Sequence, residues 1–143
     1  MIPKHDEDFY GWAVHTAQLL RDRKMNEVDF DGIIEELEEM GSSNENQLIN
    51  RLGILISHLL KWQFQHELAG HSWKCTIKEQ RNKIKRLINK NPSLKPKIDE
   101  ALNDGYMDGV ILASKDTGFP ENHFPKQCPY TFEQVIKDDF YPQ

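Results

Sequence analysis

The stretch between Leu48 and Phe64 constrains this chain more than any other. Wound as a helix, it spreads Leu48, Ile49, Leu52, Leu55, Ile56, Leu59, Leu60, Trp62 and Phe64 over about half its circumference. A helix lying on a protein surface carries a narrower apolar stripe. One this wide must be covered by neighbours on more than one side, which makes it the central helix of a helical assembly. Ser57, His58 and Lys61 interrupt it, so it falls short of the roughly 20 apolar residues of a membrane span.

The flanking segments supply the neighbours. Phe9, Trp12, Ala13, Thr16, Ala17 and Leu20 recur three and four residues apart and predict a helix over about residues 7–24. Phe30, Ile33, Ile34, Leu37 and Met40 predict a second, opened by Asp29 as N-cap and closed by Gly41. Ser42-Ser43-Asn44-Glu45 has the form of a capping box that would open the central helix. After Gly70 and Ser72 comes the stripe Trp73, Ile77, Ile84, Leu87 and Ile88. Gln80 falls inside it, so its amide needs a buried partner. Asn91-Pro92-Ser93 starts another helix. There Ala101, Gly105, Gly109 and Ala113 form a stripe of small residues that predicts close approach of a second backbone or a local break. From Asp116 onward Gly118, Pro120, Pro125 and Pro129 forbid a long helix, while Phe119, Phe124 and Tyr130 can pin an ordered loop. Thr131-Phe132-Glu133-Gln134 is a capping box for a short C-terminal helix ending at about Lys137. No useful segment alternates with period two. The reading is all-α: a compact bundle of about five helices in a single domain spanning 1–143.

Charge is segregated along the 143 residues, whose formal net charge is −5. Residues 1–50 hold 12 acids and 4 bases, residues 73–97 hold 9 bases and only Glu79, and residues 98–143 hold 9 acids and 3 bases. An acidic protein is a poor general binder of nucleic acid. The basic helix 73–90, with Lys74, Lys78, Lys85 and Arg86, offers a local patch for phosphates. Its bases spread around the helix with no interleaved aromatics for base stacking, so a solvated face is the stronger reading and nucleic acid is not the expected partner. The charged N-terminus has no apolar stretch of a secretory signal, and Cys75 and Cys128 have neither metal-ligand spacing nor a disulfide-rich context. The expectation is a cytoplasmic protein with free thiols and no membrane partner.

Chemistry-bearing side chains gather along the central helix. Arg51, His58 and Gln65 lie seven residues apart, with Lys61 adjacent and Trp62 on the inner border. Glu35, Glu36 or Glu39 from the preceding segment could give His58 a carboxylate. His58, Glu36 and Lys61 are then candidates for acid/base catalysis, and His58, Glu35 and Glu39 for a metal site. Arg51, Trp62, Gln65, Trp73, Gln80 and Arg81 are candidates for binding. Against this stand the absence of a His-x-x-x-His or His-Glu-x-x-His pair, the frequency of structural histidines beside leucines, and the ordinary solvation of acidic helix faces. Nucleophile elbows, phosphate-cradling glycine loops and Cys-x-x-Cys are absent, and no cofactor is indicated.

Several segments together carry a family resemblance: Asp8-Phe9-Tyr10-Gly11-Trp12, Leu19-Leu20-Arg21, Glu35 through Gly41, His58 through Gln65, Ser72-Trp73, Thr76-Ile77, Gln80-Arg81, Asn91-Pro92-Ser93-Leu94, Thr117-Gly118-Phe119-Pro120, Phe124-Pro125 and Cys128-Pro129-Tyr130-Thr131. The chain resembles, over about nine-tenths of its length, the bacterial domain-of-unknown-function family numbered twenty-nine, common in cyanobacteria. The resemblance implies a compact helical protein and no particular activity. His66, Asp116 and Gly109 depart from the family pattern, where proline, glutamate and a larger small residue are usual, while His58 and Glu36 match it. Three functional readings follow, in order. The first is a protein-interaction or regulatory module with a protein partner, homo-oligomerisation remaining open. The second is a metal-binding or acid/base enzyme using His58 and the glutamates. The third is a phosphate or nucleic-acid binder through helix 73–90.

Overall fold

The computed structural model describes residues 2–143. Its α-helices are α1 (Phe9–Arg21), α2 (Phe30–Phe64), α3 (His71–Lys90), α4 (Ile98–Thr117) and α5 (Phe132–Ile136), linked by short 3-10 turns. No strand occurs among the described residues, and the all-α expectation is met. The chain divides into two compact units, one ending at Ser42 and the other running from Ser43 to Gln143.

One expected boundary is absent. α2 runs unbroken through Gly41 and Ser42-Ser43, so Gly41 closes nothing and the serines cap nothing. A capping serine must leave helical dihedrals, which gains little when no proline blocks propagation and strong helix formers stand on both sides. Continuing the helix adds a hydrogen bond per residue and avoids a second nucleation. That outweighs the roughly 1 kcal/mol cost of one glycine.

In the first unit, Asp8 caps α1 by accepting from the Gly11 amide at 3.0 Å, and Asp29 does the same for the Gly32 amide at 3.0 Å. Trp12, Thr16 and Leu19 form the buried side of α1. Gly32 makes room for the indole, since a Cβ there would sit 2.7 Å from Trp12 Cζ2. The stripe read as core in the first part of α2 is largely outside: Phe30, Ile34, Leu37 and Met40 are each more than half exposed. A unit of one short helix and the first part of α2 has too little interior to bury every apolar side chain it carries.

In the second unit the central-helix expectation holds. Leu48, Leu52, Leu55, Ile56, Leu59 and Leu60 are completely buried, packed with Ile77, Ile84, Leu87 and Ile88 of α3, Ala101, Tyr106 and Ala113 of α4, and Val135 of α5. The small-residue stripe is a close helix crossing rather than a break. A Cβ on Gly105 would lie 2.8 Å from Leu52 Cβ, and one on Gly109 would lie 3.1 Å from the Gly53 carbonyl oxygen. Gly118 ends α4 at φ 79°, its amide donating to Ser114 O at 2.9 Å. The following loop is pinned as its anchors suggest. Ser114 Oγ donates to Phe119 O at 2.6 Å, Tyr106 OH donates to Pro125 O, and Tyr130 OH donates to Gln63 Oε1 at 2.7 Å. The Thr131–Gln134 capping box opens α5.

Candidate functional site

The surface with the most unspent binding capacity lies on the first unit. Phe30, Ile34 and Leu37 recur along α2 at helical spacing, exposed by 51%, 51% and 61%, with Met40 beyond them. Phe9, Tyr10 and Val14 of α1 are also more than half exposed. Asp31, Glu35 and Glu38, all exposed, follow one flank of the α2 stripe. The sequence places these apolar positions on one stripe of a helix; what it cannot supply is that this stripe goes without a neighbour.

A cavity of about 450 Å³ opens in the same unit, lined among others by His5, Trp12, Thr16, Asp29, Asp31 and Glu35. His5 stands at its edge. Its Nε2 lies 2.5 Å from Glu36 Oε1, its Nδ1 lies 3.1 Å from Asp6 Oδ1, and its ring meets the Trp12 ring edge-on at 4.5 Å between centroids. The hydrogen bonds to Glu36 and Asp6 hold the His5 imidazole above its usual pKa, favouring the charged form. Trp12 Nε1 is buried and has no hydrogen-bond partner among the described residues. A buried donor left unpaired is costly. His5 and Trp12 were not singled out from the sequence. Trp12 read only as a core residue, and nothing in the spacing ties His5 to Glu36.

The candidate residues fall into separate places. Glu36 bonds to His5, Glu35 lies 4.0 Å from His5 Nδ1, and Glu39 is exposed. In the second unit His58 is half-buried, with Nδ1 2.9 Å from Ile54 O. Donation to that carbonyl puts the proton on Nδ1 of the neutral ring, and burial lowers its pKa. Lys61 is buried, pairs with Asp116 at 3.1 Å, and holds its ammonium 5.0 Å from the Trp73 ring centroid. Asp116 stands out in the sequence only as the start of the loop and a departure from the family pattern; a buried lysine in need of a counter-charge is the physical reason for it. Trp62 is half-buried against Tyr141, with ring centroids 4.8 Å apart, and Gln65 stands before the short turn at His66–Leu68. Arg51 and Gln80 do meet: Arg51 Nη1 donates to Gln80 Oε1 at 3.4 Å, the partner the buried amide required.

Arg81 is 1% exposed and gives its donors to main-chain carbonyls, to Val135 O at 2.8 Å, Asp138 O at 3.3 Å and Phe140 O at 2.7 Å. It clamps the C-terminal segment. Cys75 and Cys128 are free. Among the described residues no three His, Cys, Asp or Glu side chains are grouped to hold a metal ion, and no helix is long and apolar enough to cross a membrane.

Comparison with known proteins gives one assignment. No curated protein and no solved structure matches the chain. The family described as domain of unknown function DUF29 matches residues 5–141, the same span that carries the segments from Asp8 to Thr131, and the protein belongs to that family.

Proposed function

We propose that the protein is an interaction module whose first unit receives an amphipathic helix with a basic flank. The observation carrying this reading is the exposed stripe Phe30, Ile34, Leu37 and Met40 beside Asp31, Glu35 and Glu38. Exposed apolar side chains in a continuous row mark docking surfaces. The acidic border selects against acidic partners and draws basic ones. The neighbouring cavity, with Asp29, Asp31 and Glu35 in its wall, suits a lysine or arginine side chain of that partner. A second copy of the chain is a poorer occupant. Residues 1–50 are strongly acidic, and the apolar side of the basic helix α3 is already spent inside its own unit on Ile77, Ile84, Leu87 and Ile88.

The test uses a fluorescent amphipathic helix with a leucine face and a lysine face, about 18 residues long, titrated with the full chain and followed by anisotropy. The double variant Ile34→Ser, Leu37→Ser should weaken binding at least about tenfold, because burying each such side chain is worth about 1.5–3 kcal/mol. Rising salt should weaken it further. Both side chains are exposed, so the variant keeps its fold. Equal binding by the variant, equal binding of a peptide with a glutamate face, or a dimer of the free protein that the double variant abolishes would overturn the reading.

A further inference from the structure

A groove in the second unit, between α2 and α3, is lined largely by cationic and amide side chains. Gln47 and Arg51 line it from α2, and Lys83, Arg86, Leu87 and Lys90 line it from α3. The α3 residues recur at intervals of three and four, so they share one face, with Leu87 as an apolar member among three cations. The volume is about 570 Å³, and no carboxylate belongs to the lining. Lys83 is held by Glu79 at 2.7 Å, whereas Arg51, Arg86 and Lys90 form no ion pair among the described residues. Among the described residues Arg51 Nε is buried without a partner, and Nη1 makes only the 3.4 Å contact with Gln80. A guanidinium held by one long contact, in a wall of like charge, keeps outer N–H donors that an anion in the groove would accept from.

We infer that this groove binds a small pyrophosphate-bearing molecule. Three cations outside any ion pair match the charge of a diphosphate better than that of a monocarboxylate. Two of them are arginines, whose forked donors fit phosphate oxygens two at a time. The space is that of a small-ligand site. No aromatic side chain lines the groove to stack on bases, so a nucleic acid strand is the weaker occupant.

Isothermal titration calorimetry of the full chain with inorganic pyrophosphate at low salt tests this. Saturable binding is expected, weakened at least about tenfold by Arg51→Gln and by the pair Arg86→Gln, Lys90→Gln. Arg86 and Lys90 are exposed, so the second variant stays folded even if the first disturbs Gln80. Lys126→Gln, an exposed lysine outside the groove, should change nothing. Absence of saturation at millimolar pyrophosphate would overturn the inference, as would equal weakening by Lys126→Gln. So would tighter binding of a mixed-sequence single-stranded oligonucleotide that the groove variants abolish.

Discussion

At the scale of single residues, the two ends of the chain depend on one charged side chain each. Arg81→Met keeps most of the volume but strands the carbonyls of Val135, Asp138 and Phe140 without a donor. Three hydrogen bonds from a buried charged group imply a loss of about 3–5 kcal/mol. Urea denaturation should read that loss, and limited proteolysis should show the C-terminal segment opening first; a loss under about 1 kcal/mol would show that the clamp is dispensable. His5 behaves differently because its effect depends on pH. Its pKa is raised in the folded chain by Glu36 and Asp6, so its contribution to stability is fully present below pH 6.5 and is lost as pH climbs through the raised value. The expected NMR titration midpoint of His5 therefore lies above 6.5 and drops in Glu36→Gln. A midpoint at or below 6.5 in the unmodified protein would show that the pair does not form.

At the scale of elements, two glycines of α2 and α4 that look alike in sequence respond oppositely to the same change. Gly41 is exposed within α2 and a Cβ there meets nothing within 4 Å, so Gly41→Ala should raise stability by about 0.5–1 kcal/mol. Gly105→Ala gains the same propensity but drives a methyl to 2.8 Å from Leu52 Cβ, and a net loss of about 1–3 kcal/mol should appear in thermal unfolding. The contrast explains what the sequence made legible. Period identified α1, α3, α4 and the α5 capping box, because those signals are local, although α4 starts at Ile98 after a 3-10 turn over Pro92–Lys97 rather than at Asn91-Pro92-Ser93. The small-residue spacing left a close crossing and a break at Gly105–Gly109 both open, and the packing against Leu52 and Gly53 decides for the crossing. The missing break at Gly41 was not legible. A Ser-Ser-Asn-Glu tetrad encodes a cap only if the chain leaves the helix there, and that depends on competing helix propagation. The pairing of Lys61 with Asp116 and of His5 with Glu36 was equally hidden, since each joins residues that no periodicity connects.

At the scale of the whole molecule, core and unspent surface are distributed unequally between the two units. Every residue of the continuous buried cluster lies between Leu48 and Val135, inside the second unit. Of the large apolar side chains that stay exposed, Phe9, Tyr10, Val14, Phe30, Ile34, Leu37 and Met40 lie in the first, while the second contributes Leu68, Met107 and Ile111. A segment that owns a complete core does not need its neighbour to fold, whereas about 40 residues with a small interior fall below the size at which a chain holds itself together unaided. The fragment Ser43–Gln143 should therefore be helical and unfold cooperatively, with a midpoint within a few degrees of the main transition of the full chain. The first unit should exchange its amide protons sooner than the helices around Leu52 and Leu59. A fragment that is unfolded at room temperature would mean that residues before Ser43 supply part of the core. Docking of a partner on Phe30, Ile34 and Leu37 would then be coupled to the stability of the whole chain rather than confined to its first unit.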